Sequence, residues 1–129
     1  MKTFYLSFLV LFLFSCNSND DSGADNCIEF KPAAVETVVE KANADASSHL
    51  FDVSFRVNNG CGQFDSFEQT KQGNVITINV IAKYEGCFCT EDTPLRETVY
   101  VFNENAPGTY TLKFKMSDDN YVTQMVTIE

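Results

Sequence analysis

The sequence predicts an all-β fold, an antiparallel β-sandwich of seven short strands, and three observations support this prediction. Apolar and polar residues alternate with a period of two along most of residues 27–129, as in strands that bury one face. Turn-forming pairs such as Asn59-Gly60, Gly73-Asn74 and Pro107-Gly108 separate the alternating runs. No segment after residue 26 shows a convincing helical period, so short strands joined by turns are expected.

Three runs carry the clearest alternation. Their predicted inward positions are Phe51, Val53, Phe55 and Val57, then Ile76, Ile78, Val80, Ala82 and Tyr84, then Tyr110, Leu112, Phe114 and Met116. Weaker runs, over residues 33–41, 64–71, 96–103 and 121–128, complete the seven strands. Residues 33–46 are ambiguous because Ala and Glu also permit a helix, but their valines favour a strand.

The beginning of the chain predicts export. Lys2 precedes an apolar run over residues 3–14, which is shorter than the ~20 residues of a membrane-spanning helix and is typical of a signal peptide. The run ends in Leu13-Phe14-Ser15-Cys16, which resembles the lipobox of bacterial lipoproteins, although Phe14 is larger than the residue usual there. The resemblance implies a signal peptide over residues 1–15 and acylation of Cys16, for example by palmitate. The alternative is an ordinary signal peptide that leaves Cys16 as a free thiol.

Residues 16–26 predict a flexible acidic tether, because they are too small and polar to form a core. The acidic cluster just after Cys16 resembles the export signal of surface lipoproteins from Bacteroidota. This resemblance implies an outer-membrane lipoprotein of the cell envelope that is exposed at the surface. The membrane is then an expected partner, because more than one acyl chain on Cys16 gives stable anchoring.

Charge limits the other partners. The chain has 9 basic and 18 acidic residues, for a formal net charge of −9; without residues 1–15, which contain only Lys2, eight basic residues face 18 acidic ones, or −10. An acidic chain without a basic cluster is a poor nucleic-acid binder, because neutralising phosphates supplies most of that affinity. Residues 27–129 are enough for one domain.

Four cysteines besides Cys16 predict two disulfide bonds, since an even number is typical of exported domains. With antiparallel strands, Cys27, Cys61, Cys87 and Cys89 all lie at one end of the sandwich. A bond from Cys87 to Cys89 is disfavoured because its ring is very small. Two pairings remain open: Cys61 with Cys87 and Cys27 with Cys89, which we prefer, or Cys61 with Cys89 and Cys27 with Cys87.

One local motif refines the predicted fold. Residues 103–112, with the sequence NENAPGTYTL, resemble the corner before the sixth strand of immunoglobulin-like and fibronectin-III-like domains. The resemblance implies that the Tyr110 hydroxyl binds upstream backbone and that Leu112 is a core position. The chain has no Trp, and Leu112 stands where a cysteine is usual, so the implied fold is an Ig-like sandwich rather than an antibody-type domain.

Candidate sites for chemistry are few. Zinc usually takes cysteines spaced C-x₂₋₄-C, and Cys87-Phe88-Cys89 is one residue short. A redox pair at these cysteines lacks a nearby positive charge. His49, the single histidine, is expected at the end opposite the cysteines. The run Asp118-Asp119-Asn120 indicates a hairpin turn more strongly than a calcium site. We therefore expect no catalytic residue, no metal and no cofactor.

The function that fits best is a non-catalytic, lipid-anchored binding or structural module that contacts an envelope protein or a glycan. Phe88 and Tyr121 are aromatic residues expected near an end or edge, where sandwich domains carry binding loops. Two alternatives are a small envelope redox or metal protein that uses the clustered cysteines, and a protease-inhibitor-like module. The latter would present the loop over residues 85–96, including Thr93-Pro94-Leu95-Arg96.

Overall fold

A computed structural model of the chain describes residues 27–42 and 48–129. The signal peptide predicted over residues 1–15, the tether predicted over residues 16–26 and Cys16 itself lie outside the described residues. Seven strands confirm the all-β prediction, and their bounds are β1 Ile28–Glu40, β2 His49–Arg56, β3 Gly62–Gln72, β4 Val75–Glu85, β5 Leu95–Phe102, β6 Gly108–Lys115 and β7 Tyr121–Ile128. In this part of the chain no helix is long and apolar enough to cross a membrane.

The strands form two hydrogen-bonded layers that share β1. The first layer contains β3, β4, β6 and β7 together with residues 28–33 of β1, which pair with β4. The second layer contains β2 and β5 together with residues 34–40 of β1, which pair with β2. Strand β1 therefore leaves one layer between Ala33 and Ala34 and continues in the other.

The prediction of purely antiparallel pairing is wrong at one place. Residues 75–78 of β4 pair with residues 111–114 of β6 in parallel. The chain passes from β4 through β5, in the second layer, before it returns in β6, so the two strands enter the first layer in the same direction. Strand β4 also separates β3 from β6, whereas the third and sixth strands are neighbours in immunoglobulin constant-type sandwiches. The implied immunoglobulin-like strand order is thus corrected.

The core lies between the two layers. Phe51 and Tyr100 of the second layer contact Phe114 of the first, with ring centroids 6.3 and 5.3 Å apart. The inward positions predicted in β2 and β4 and at Tyr110, Leu112 and Phe114 are all buried, which confirms the alternation. Met116 is the exception, with 40% of its surface exposed, because β6 ends at Lys115 and the chain turns away.

Strand β1 contains an irregularity that explains the ambiguity of its sequence. The pairing with β2 shifts between Val35 and Thr37, so Glu36 is an extra residue in a β-bulge. The bulge places both Val35 and Val38 in the core and leaves Val39 exposed. The segment is a strand, as predicted, but it begins at Ile28 rather than at residue 33.

The predicted tyrosine corner is present. Tyr110 is buried and its hydroxyl donates a hydrogen bond of 2.8 Å to the carbonyl oxygen of Ala106. Leu112, two residues later, is fully buried. The corner holds the β5–β6 connection against the start of β6, and the likeness to immunoglobulin-like domains is limited to this corner and to the two-layered core.

Candidate functional site

The four cysteines meet at one end of the sandwich in two pairs with disulfide geometry. Cys27 pairs with Cys87 and Cys61 with Cys89, with Cα–Cα distances of 5.0 and 5.4 Å. The clustering confirms the prediction, whereas the preferred pairing, Cys61 with Cys87 and Cys27 with Cys89, is wrong. The reason is that β4 lies between β1 and β3, so the chain after Glu85 first meets the start of β1 and then returns toward β3.

Hydrogen bonds connect the loops of this end, which we call the cysteine pole and define as Cys27, residues 57–62 and residues 86–94. The amide of Gly86 donates to the Cys27 carbonyl oxygen at 2.8 Å, and the amide of Gly60 donates to that of Thr90 at 3.0 Å. The Arg96 side chain donates from two nitrogens to the carbonyl oxygens of Gly62 and Gly60, at 3.0 and 3.2 Å. Disulfides and hydrogen bonds together hold the two loops in one arrangement.

Two glycines are required for this arrangement. Gly86 has a φ of +138°, in the region that favours glycine, and this conformation turns the chain out of β4 toward Cys87. A Cβ atom on Gly60 would overlap the Thr90 side chain, so only glycine permits the two loops to approach this closely. Backbone geometry at the cysteine pole is thus set by residues on both loops.

Phe88 stands at the tip of the cysteine pole between Cys87 and Cys89. Its side chain is 99% exposed, the highest value among the large apolar residues of the described chain. Exposed Glu85, Glu91 and Asp92 lie within a few residues of it in sequence. Phe88 is thus a fully exposed aromatic ring on a loop that the two disulfides close.

Comparison with known families agrees with this architecture. Residues 51–128 match the family described as ORF11 beta-sandwich domain. The chain belongs to the ORF11 beta-sandwich domain family. No curated protein and no solved structure matches it. The family membership supports the two-layered β architecture and assigns no activity to any residue of this ORF11 beta-sandwich domain.

The other residues considered for chemistry are dispersed in the ORF11 beta-sandwich domain. His49 begins β2, far along the strand from the cysteine pole, and its Nδ1 atom lies 2.8 Å from the Glu40 carboxylate. Asp118 lies in the turn between β6 and β7, where its carboxylate is 3.5 Å from Lys115 Nζ. Among the described residues, no group of three or more His, Cys, Asp or Glu side chains is placed to hold a metal ion.

The segment considered as an inhibitor loop is only partly a loop. Leu95 and Arg96 begin β5, where Arg96 pairs with Phe55 of β2. The Arg96 side chain is half-buried and its nitrogens bind the carbonyl oxygens named above. Its guanidinium is thus occupied in holding the cysteine pole together, which counts against a role as an exposed recognition residue.

One titratable group in the core has a strongly shifted pKa. Tyr100 is buried, and its hydroxyl donates a 2.8 Å hydrogen bond to Gln69 Oε1 across the open edge between β5 and β3. Burial, with a smaller contribution from the negative charge of Glu104, raises the pKa of Tyr100 to about 12. This tyrosine therefore stays neutral at physiological pH and acts as a structural hydrogen-bond donor.

Proposed function

We propose that this ORF11 beta-sandwich domain is a non-catalytic binding module of the bacterial cell envelope, held at the outer membrane by lipid on Cys16. The lipobox-like residues Leu13-Phe14-Ser15-Cys16 support lipidation, and the acidic residues that follow support exposure at the cell surface. The observation that carries the binding function is Phe88, an exposed aromatic ring on a loop that two disulfides close.

The geometry favours a protein partner for Phe88. The two disulfides constrain the backbone on both sides of Phe88, so ordering this loop costs little entropy on association, and aromatic residues commonly dominate the binding energy of protein interfaces. The acidic residues Glu85, Glu91 and Asp92 near Phe88 match a partner whose apolar pocket has basic residues at its rim. A glycan partner would stack a sugar on the ring without needing the acidic surroundings.

The position of the Cys27–Cys87 disulfide also suits a binding module that is tethered to a membrane. Phe88 is the neighbour of Cys87, and Cys27 is the first residue after the proposed tether. Tension between the bound partner and the lipid anchor therefore follows a short covalent path through this disulfide. The hydrogen-bonded strands lie outside that path, so such tension does not pull β1 away from β4.

A photo-crosslinking experiment in cells tests the binding function. A photoreactive amino acid replaces exposed Glu91, and the full chain is irradiated in the producing cells. We expect a discrete protein adduct that disappears with Phe88→Ala and persists with Met125→Ala, a matched control because Met125 is a large apolar residue, 67% exposed, on β7. No adduct, or an adduct insensitive to Phe88→Ala, would refute the proposed binding surface, and a carbohydrate adduct would refute the protein partner.

Fractionation tests the proposed anchor separately. The wild-type chain is expected in the membrane fraction, with acyl mass on the peptide that begins at Cys16. Cys16→Ser is expected to carry no acyl mass, because the thiol that accepts the lipid is absent. A wild-type chain outside the membrane fraction, or an unmodified Cys16 peptide, would contradict the lipid anchor and leave the Phe88 result unaffected.

A further inference from the structure

The first half of strand β1 has an open edge beside the cysteine pole. Residues 28–33 pair with β4 on one side. Strand β6 occupies the same edge of β4 only along residues 75–78, and β2 pairs with β1 only from Ala34 onward. No strand of the described chain therefore pairs with residues 28–33 on their other side, which we call the open edge.

The hydrogen-bond pattern shows which backbone groups face the open edge. The Gly86 amide donates to the Cys27 carbonyl oxygen at 2.8 Å, so these two residues form a hydrogen-bonded pair. Such pairs alternate with non-hydrogen-bonded pairs along an antiparallel ladder. Every second residue from Cys27 onward therefore bonds β4, whereas Ile28 and Phe30 direct their N–H and C=O groups to the open edge. Pro32 also falls at such a position, where its missing N–H costs the ladder with β4 nothing.

The side chains beside the open edge are apolar on one face of the strand and charged on the other. Ile28 and Phe30 lie on the outer face of the first layer and are 41% and 55% exposed. Glu29 and Lys31 lie on the opposite face, where both are exposed because the second layer ends before them, and their charged groups are 2.9 Å apart. The open edge thus offers backbone hydrogen bonds, apolar side chains and two opposite charges to an added strand.

We propose that the open edge pairs with the same edge of a second copy of this chain, so that the first layers of two molecules join into one continuous sheet. The two β1 strands run antiparallel about a twofold axis at Phe30. In this arrangement the two Phe30 residues exchange backbone hydrogen bonds. The N–H of each Ile28 donates to the carbonyl oxygen of Pro32 in the other copy.

Charge complementarity selects a second copy as the occupant of the open edge. With Phe30 opposite itself, Glu29 of each copy lies directly opposite Lys31 of the other, which stabilises the pairing. Shifting the register by two residues puts either Glu29 opposite Glu29 or Lys31 opposite Lys31, and like charges in that position are destabilising. The sequence Ile28-Glu29-Phe30-Lys31-Pro32 is therefore complementary to itself in the opposite direction.

Lys31 and Pro32 limit which strands the open edge accepts. Lysine and proline on an edge strand usually oppose pairing, because the ammonium group needs water or a counter-charge and proline cannot donate a hydrogen bond. A second copy meets both conditions, since it supplies Glu29 opposite Lys31 and uses only the carbonyl oxygen of Pro32. The pairing involves neither Phe88 nor the lipid on Cys16, so it stands or falls separately from the proposed function.

Photo-crosslinking between copies tests the pairing in the producing cells. A photoreactive phenylalanine analogue replaces the exposed Phe30 in the full chain. We expect an adduct with the mass of two copies, in which mass spectrometry locates the cross-link within residues 28–32 of the second copy. The matched control carries the analogue at Val75, an apolar residue that is 40% exposed on β4. It should give no such adduct, because β3 and β6 occupy both sides of β4 there.

Charge variants of the chain with the analogue at Phe30 test the register. Glu29→Lys and Lys31→Glu each place like charges opposite one another and should lower the adduct at least about threefold. Producing the two variants together should restore an adduct between unlike copies, because opposite charges then meet across the twofold axis while each copy keeps two like charges. Absence of the Phe30 adduct, an adduct only with a different protein, or no recovery in the mixed production would overturn the proposal. Equal amounts of oxidised chain confirm that the variants fold.

Discussion

Replacing Cys27 and Cys87 together by alanine removes the disulfide that joins the start of β1 to the loop after β4. The two cysteines are 60 residues apart, and in the chain-entropy account a ring of that size contributes about 4.3 kcal/mol. The second disulfide shortens this ring, because the chain can be followed from Cys27 to Cys61, across to Cys89 and back to Cys87. That path has about 36 residues, which lowers the expected contribution to about 3.8 kcal/mol.

The matched control is removal of Cys61 and Cys89. Their ring has 28 residues, and the other disulfide does not shorten it, so about 3.6 kcal/mol is expected. The two variants should therefore lose nearly equal stability in denaturant titration, although one ring is about twice the length of the other. For a domain of about 100 residues, either loss lowers Tm by roughly 15–30 °C.

Amide hydrogen exchange distinguishes the two variants, although their free energies of unfolding are expected to be nearly equal. Residues 28–33 of β1 have ladder partners only on β4, and the Cys27–Cys87 bond closes the open end of that ladder. We expect amide exchange in this segment to accelerate when Cys27 and Cys87 are replaced and to change much less when Cys61 and Cys89 are. A loss below about 1 kcal/mol, or unchanged exchange at residues 28–33, would refute the role given to this disulfide.

Three further predictions concern single side chains. Tyr110→Phe removes the hydroxyl that binds Ala106 and should cost about 1 kcal/mol in urea unfolding, whereas no loss would show that the corner bond contributes nothing. Asn79→Leu removes a buried atom without a partner and should raise stability by about 1 kcal/mol, and a destabilised variant would contradict this. Because the pKa of Tyr100 is about 12 in the folded chain and about 10 unfolded, its contribution to stability is complete below about pH 10 and falls as pH rises through 12. Absorbance titration at alkaline pH should show one tyrosine that ionises late, and Tyr100→Phe should remove that step.

The strongly alternating strands were predictable from the sequence because each has one face in the core and the other toward water. In β2 the residues Phe51, Val53 and Phe55 alternate with polar residues, and all three are fully buried. The boundaries of β4, β6 and β7 also agree closely with the turn signals beside them. Alternating burial is a local property of a strand, so the polarity of consecutive residues predicts it directly.

Strand β1 shows where local sequence patterns do not identify the secondary structure. The bulge at Glu36 spaces the two buried valines three residues apart, which is also the spacing of a helical face. A proline normally argues against a strand, yet Pro32 lies within β1, just before this strand leaves β4. Prolines in sheets are confined to edges and bulges. The reason for both features is the passage of β1 from one layer to the other, which no short window of sequence describes.

The candidate sites, like the strands, were predictable from the sequence only in part. Clustering of the four cysteines followed from counting strand directions, but their pairing depended on which strands flank β4. The sequence placed Phe88 in a loop without indicating its complete exposure. Nothing in the sequence predicted the cleft of about 330 Å³ that Asn79 lines, because this cleft exists only where β1 and β6 separate from β4.

The sequence by itself determined the strand content, the buried faces, the tyrosine corner and the cluster of cysteines, since each depends on the order and polarity of neighbouring residues. Only the tertiary structure decided the parallel pairing of β4 with β6, the disulfide partners and the cleft beside Asn79. The physical reason is that pairing between strands far apart in sequence is selected by the packing of the whole core. A single strand carries the same alternating pattern whichever neighbour it acquires.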